Sequence, residues 1–287
     1  MVYPHHCNLV VATSSTTPVE DAVTEEPVLR AQQRIAIFDL EDSIDSISAD
    51  EFSFAELREL NVDVRSLTLD ENSPNKPFFF TRDQSLPSSR REDLIKLYHE
   101  LHEADVVADP EVIERPMDQA QGFYYAWNSC THPLRFSNRA SSPWSGGDPG
   151  DYVQFKDIYQ YEQPEFGAYE VTQVANDSLP HRKAIIYNNL KGKEGHITRG
   201  EILDILRLMI PQFVRRRFKR HMVFPMFVLS FMGRHARIIE AFFDSRKNLV
   251  LRTTRLFTFP EETVSGFPKL DWYFNFPSGN TKKPFTR

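Results

Sequence analysis

Apolar and polar positions alternate most clearly from Thr198 onward. Thr198 and Glu201 stand at the spacing of a capping box, in which the threonine hydroxyl and the glutamate carboxylate each serve an amide at the other's end of the first turn. Ile202, Leu203, Ile205, Leu206, Met209 and Ile210 follow as a broad helical face. Pro211 is expected to kink or restart this helix, because proline lacks the amide donor and crowds the preceding turn. Three strand-like runs come next: MVFPMFVLSF, ARIIEAFFD and LVLRTTRLF, separated by turns at Gly233 and at residues 245–248. They predict an antiparallel meander. Pro225 places the start of the first strand after itself, or that strand at an edge.

Upstream the pattern is weaker. Ser89 and Glu92 make a second capping box ahead of Leu94, Ile95, Leu97, Tyr98 and Leu101, predicting an amphipathic helix. Residues 53–60 read as a short helix and residues 34–40 (RIAIFDL) as a short buried strand. Residues 1–32 show no sustained period and predict a disordered tail, since they bury too little surface to offset ordering entropy. Residues 123–169 are aromatic and loop-like, with Tyr124, Tyr125, Trp127, Tyr159, Tyr161 and Tyr169 among them. Such rings stack nucleobases in some proteins and more often pack beneath long loops. A loop-rich stretch with Trp272, Phe274 and Phe276 lies beyond the last strand. The fold class expected is α+β, with helices packed on an antiparallel meander sheet in the C-terminal half, a disordered N-terminal tail over residues 1–32 and a single domain over residues 33–287.

Composition narrows the compartment. At 287 residues and 40% apolar content the chain can bury a sizeable core. Two cysteines, Cys7 and Cys130, build no disulfide framework, so a reducing, cytoplasmic setting is expected. No basic stretch precedes an apolar run at the start and no window of about 18 apolar residues occurs, so neither secretion nor a membrane is expected.

Charge changes the picture more. Residues 1–121 carry 25 acidic and 10 basic side chains, giving −15, whereas residues 122–287 carry 15 acidic and 24 basic, giving +9. The halves either neutralise one another or leave the basic half to a polyanion. Between residues 182 and 255 there are 17 Lys and Arg against 5 Asp and Glu, densest at Arg215, Arg216, Arg217, Lys219 and Arg220. These five are the nucleic-acid-binding candidates, through salt-dependent phosphate contacts; the alternative is a solvated helix end compensated by the acidic half. Arg237 and Arg252 lie within apolar strands, where a charge needs either solvent or a buried partner. Glu201, Glu240 and Asp244 are the available carboxylates.

Familiar catalytic signatures are missing: no phosphate-cradling glycine loop, dinucleotide fingerprint, serine elbow or Cys-x-x-Cys pair. The nine histidines form no metal signature, so no metal site is expected; His196, His221 and His235 lack a helical i, i+4 partner. IAIFDLEDS resembles the start of haloacid-dehalogenase phosphatases, but Glu41 stands where that family has its second aspartate. A helix bearing Glu201 followed by strands with Asp244 resembles the element order of PD-(D/E)XK nucleases. There the third strand, LVLRTTR, supplies no metal-binding carboxylate.

Residues 196–281, with His196, Thr198, Glu201, His221, Pro225, Ser230, Arg237, Asp244, Trp272 and Gly279 as recognisable points, resemble a large group of fungal proteins. Within such proteins the resemblance implies the arginine-containing cyclodipeptide synthases, which join amino acids from two aminoacyl-tRNAs into a diketopiperazine. The acidic DDxxE-type motif of those enzymes has no verbatim match; Glu41, Asp42 and Asp45, or Glu201 with Asp204, are the nearest acidic groups. The resemblance implies acid–base roles for His196, Glu201 and His221, and a substrate pocket of Asp204, Arg237, Glu240 and Asp244. Aminoacyl-tRNA is the implied partner. No cofactor or metal is implied, because the ester is already activated. The alternative is a non-catalytic nucleic-acid or protein interaction module on a degenerate nuclease-like core. A pocket with converging acid and base near Glu201 and His221 favours the synthase; a filled core there favours the module.

Overall fold

A computed structural model of the chain describes residues 22–83, 96, 115–137, 142–147, 157–244, 247–259 and 262–285. In its first part, helix α1 (Ala22–Ser46) leads to strand β1 (Glu51–Ser53), helix α2 (Phe54–Glu59), and strands β2 (Val62–Ser66) and β3 (Phe80–Arg82). Helix α3 (Pro116–Ser137) precedes β4 (Trp144–Gly147), β5 (Phe166–Val174), β6 (Arg182–Asn188) and β7 (His196–Thr198). Helix α4 (Arg199–Val214) is followed by β8 (Met226–Met232), β9 (His235–Phe243), β10 (Leu249–Thr253), β11 (Phe257–Thr258), helix α5 (Thr263–Leu270) and β12 (Asn275–Pro277).

The main sheet runs β2-β10-β9-β8-β6-β5-β4, with β11 added on β9. It is mixed. The pairs β8–β9 and β9–β10 are antiparallel, while β6–β8 and β2–β10 are parallel. A parallel neighbour needs a crossover, and between β6 and β8 that crossover is α4. The sheet is not confined to the C-terminal half, since β2 from the acidic half forms one edge.

Both faces of the sheet are covered, which explains why its strands read as near-continuous apolar runs. Side chains alternate between the faces. Val228, Ile239, Ala241, Phe243, Leu249 and Leu251 pack with Ile37, Leu40 and Ile44 of α1 and Ile202, Ile205, Leu206 and Met209 of α4. Phe227, Leu229, Phe231, Ile238, Phe242 and Val250 pack with Ala120, Phe123 and Trp127 of α3 and with Trp272 and Tyr273.

Several sequence expectations are corrected. Residues 34–40 are helical rather than a strand, and α1 starts at Ala22, inside the expected tail. Ile37, Leu40 and Ile44 recur at helical spacing toward the core, and a short apolar run does not separate helix from strand by periodicity. Residues 123–137, read as loop, belong to α3, with Ala120, Phe123 and Trp127 as its buried face. Beyond the last long strand lie α5, a 3-10 turn over Asp271–Tyr273 and β12 instead of loop alone. Helix α4 runs through Pro211 without a break. Near it, the buried Arg182 guanidinium donates to the Leu208 carbonyl in the turn before the proline. The short helix at residues 53–60 forms as α2, capped by Ser53, and Thr198 caps α4 in the expected box. The first of the three strand runs begins just after Pro225. The helix expected from Ser89 and the residue span 1–21 lie outside the described residues.

The acidic and basic halves are joined where α1 meets α4. Arg207 donates to Glu41 at 2.7 Å and to Asp45 at 2.7 Å, and Lys193 reaches Glu51 at 3.0 Å.

Candidate functional site

Glu201 occupies the third position of α4, where its carboxylate closes the capping box. Oε2 accepts from the Thr198 amide at 2.9 Å and lies 3.0 Å from the Thr198 hydroxyl. The same carboxylate takes Arg237 of β9 in a two-pronged pair: Nε donates to Oε1 at 2.8 Å and Nη2 to Oε2. Arg237 also donates to the His196 carbonyl at 2.7 Å. Thr198, Glu201 and Arg237 are all buried. Burial pushes the Glu201 carboxyl up, but the Arg237 guanidinium and the Thr198 amide outweigh it and leave the group below its ordinary value.

Arg252 and Glu240 form a second buried pair on the opposite face. They are cross-strand partners on β10 and β9, and Arg252 Nη1 donates to Glu240 Oε2 at 2.5 Å. Glu240 Oε1 accepts the amides of Phe78 at 2.7 Å and Phe79 at 2.8 Å. Arg252 lies over the Phe78 ring, 3.5 Å from its centroid. The reason for the separation is the strand period of two: Arg237 and Glu240 are three positions apart on β9 and project to opposite sides. Asp244 closes the turn into β10, accepting the Asn248 amide at 2.9 Å.

Asp204 differs from these groups. It lies one helical turn after Glu201, fully buried, and neither carboxyl oxygen has a hydrogen-bond partner among the described residues. Burial, opposed by Arg207 and reinforced by Glu201, pushes its carboxyl well above the usual carboxylate range.

The two histidines do not meet. His196 precedes α4 and His221 follows it, and a helix of 16 residues is about 24 Å long. His196 Nδ1 sits 3.3 Å from the Glu194 carbonyl. His221 Nδ1 sits 2.7 Å from the Thr281 hydroxyl, and burial together with Lys282 and Arg30 lowers its proton affinity. Of the two alternatives that the sequence left open for Arg237 and Arg252, solvent or a buried partner, the structure has the buried partner for both; helix length keeps His196 from His221, and strand parity keeps Arg237 from Glu240.

The basic cluster forms a tight turn at the C-terminal end of α4. Arg215 ends the helix and Arg216–Phe218 make a 3-10 turn. Arg215 binds Asp177 at 3.2 Å, and Arg217 pairs with the same carboxylate. Arg216, Lys219 and Arg220 are exposed and have no acidic partner among the described residues. The Met222 and Val223 amides donate to the Thr281 carbonyl at 2.7 and 3.1 Å, which brings exposed Lys282 and Lys283 alongside. Arg30 of α1 pins the turn from below, donating to the carbonyls of Phe213 at 3.0 Å and His221 at 2.7 Å and also to Phe218. The Phe213 carbonyl, in the last turn of α4, is of the kind that a helix end leaves without an intrahelical donor.

A second concave feature lies where α3 meets β5 and β6. Tyr124, Tyr125, Tyr159, Tyr169 and Tyr187 line it with Met117, Gln121, Ala168 and Glu170. Sequence reasoning singled out four of these tyrosines as aromatics without placing them together, and missed Tyr187. Only the pairing of β5 with β6 and the packing of α3 across them unites the five.

Among the described residues no group of three His, Cys, Asp or Glu side chains is placed to hold a metal ion, and no helix is long and apolar enough to cross a membrane. No family model, curated protein sequence or solved structure matches the chain. Fold and site together define a protein with a mainly antiparallel, mixed sheet covered by helices on both faces, a basic turn at one helix end and a tyrosine-lined cleft.

Proposed function

We propose that the chain is a non-catalytic interaction module that binds a polyanion, nucleic acid foremost, through the basic turn after α4. The observation that carries this reading is the exposure of Arg216, Lys219, Arg220, Lys282 and Lys283 on one pinned turn, without acidic partners among the described residues. Phosphates meeting such a surface release counterions, so affinity falls steeply with salt. The commitment of Glu201 and Glu240 to arginines supports the same reading, because neither carboxylate is left for metal binding or proton transfer. The core of this reading is a nuclease-like one that keeps a basic surface and has, among the described residues, no carboxylate set placed to hold a metal.

Fluorescence anisotropy with labelled tRNA and single-stranded RNA over a salt series tests it. Binding whose logarithm falls linearly with log salt, and which an R216E/K219E/R220E variant loses, is the expected result. Equal binding by that variant overturns it.

A second reading, the tRNA-dependent synthase of an arginine-containing diketopiperazine, draws support from Asp204. That acid is the one candidate whose oxygens are not already committed, and a buried unpaired carboxyl is suited to take a proton or a guanidinium. Expression in a bacterial host, where aminoacyl-tRNAs are present, and mass spectrometry of the medium test this. A new cyclic dipeptide that disappears with D204N supports the synthase; its absence from cells holding folded protein removes that reading.

A further inference from the structure

The tyrosine cleft is built by specific local devices. Strand β5 shifts register against β6 between Ala168 and Glu170, so Tyr169 is the extra residue of a bulge, a device that re-aims side chains. Tyr169 is thereby stacked between Tyr124, 4.4 Å away at 13°, and Tyr187, 4.6 Å away at 28°. Gly167 lies across from Tyr187 in the ladder, and a Cβ there would stand 2.5 Å from the Tyr159 ring and 2.9 Å from the Tyr187 hydroxyl. The absence of that carbon lets both rings approach. The Tyr159 hydroxyl donates to the Ala168 carbonyl at 3.1 Å, fixing its ring. The result is a cleft of about 520 Å³, within the ordinary range of roughly 300–1,000 Å³ for small-molecule sites.

Its chemistry is one-sided. The aromatic side chains lining it are all tyrosines, and neither lysine nor arginine is among the described lining residues. A wall serving only to fill space has no need of phenolic oxygens, and the Tyr169 hydroxyl is buried without a hydrogen-bond partner among the described residues. Acidic groups stand around the rings: Glu170 lines the cleft, Asp118 lies near Tyr169, and Glu165 lies near Tyr187. Arg115, beside them, is engaged by Glu165 at 3.3 Å and Asp118 at 3.8 Å. Tyrosine rings and a carboxylate attract a positive guest, whereas a phosphate or carboxylate would find only uncharged hydroxyl and amide donors among the described lining residues.

We infer that this cleft is a binding site for a small organic cation, an alkylated ammonium head carrying a short body that fills the remaining volume. Trimethylammonium heads suit it because they are weakly hydrated and meet aromatic faces without forfeiting strong hydrogen bonds to water. The site is separate from the basic turn and does not rest on polyanion binding.

The test compares choline with its uncharged carbon isostere, 3,3-dimethylbutan-1-ol, on the full chain, by saturation-transfer NMR and calorimetry. Choline is expected to bind at least about tenfold more tightly than the isostere, the margin that a cation–aromatic contact supplies. Tyr125 is 55% exposed, so its removal leaves the core intact. Y125A is expected to weaken choline binding severalfold at an unchanged melting temperature and E170Q to weaken it severalfold, while R216E/K219E/R220E leaves it unaltered. Equal affinity for choline and the isostere, no transfer to either, or unchanged choline binding by both Y125A and E170Q overturns the proposal.

Discussion

Arg237, in the middle of the sheet, and Glu201, in the first turn of the crossover helix, share one carboxylate with the helix cap. Arg237 Nε reaches Glu201 Oε1 at 2.8 Å while the Thr198 amide reaches Oε2 at 2.9 Å. One side chain therefore ends the helix, neutralises a buried cation and ties α4 to β9.

Breaking that pair from either side leaves an uncompensated buried charge. R237M and E201Q are each expected to destabilise the chain by about 3–5 kcal/mol, and the double variant by less than the sum of the two. Equilibrium urea unfolding of the three variants measures both values.

Asp204 and Glu201 pull stability in opposite directions with pH. The Glu201 carboxyl lies below its ordinary value when folded, so its contribution is present above the unfolded pKa, about 4.3, and is lost as pH falls through the folded value. The Asp204 carboxyl is raised when folded, so its contribution is full below the unfolded pKa, about 3.9, and is lost as pH rises through the folded value. D204N, which cannot ionise, is expected to be more stable than the parent at high pH and to flatten the decline that sets in above the unfolded pKa. Melting temperatures across a pH series show the slope.

Gly200 sits inside α4, where alanine normally stabilises a helix by about 1 kcal/mol. Here the sign reverses. A Cβ at this position would meet the Asn188 side-chain oxygen and stand 2.7 Å from the Phe166 ring, so G200A is expected to cost about 1–3 kcal/mol. Denaturant midpoints of the parent and G200A decide the sign.

The basic turn yields a prediction about slope as well as affinity. Replacing Lys219 alone by glutamine is expected to reduce the salt dependence of RNA binding by about one unit in the log–log plot, with little dependence on RNA sequence. Anisotropy titrations at several salt concentrations give that slope. Changing Arg215, which is engaged with Asp177, is expected to alter the slope less.

Thr198 and Glu201, the apolar face of α4 and the three runs from Met226 to Thr253 were legible because each pattern depends on neighbours a few residues away. The strand misread at residues 34–40 shows the limit of that approach. Ile35 and Phe38 are exposed, Ile37 and Leu40 are buried, and the choice between helix and strand came from packing against α4. Residues 123–137 failed for a related reason: their rings gave an aromatic texture whose helical spacing was hidden by tyrosines on the outer side.

The sequence by itself determined the Thr198 cap, the apolar strands, the two arginines set among apolar strand residues with the carboxylates available to them, and the density of cations at residues 215–220. All of these follow from local hydrogen bonding, side-chain period and composition. Only the tertiary structure decided that Glu201 takes Arg237 while Glu240 takes Arg252, because strand parity sends Arg237 and Glu240 to opposite faces. It also decided that α4 holds His196 and His221 apart, and that five tyrosines from α3, β5, β6 and the segment before them share one cleft. These relationships join residues far apart in the chain, and no local pattern encodes which distant surface a side chain will meet.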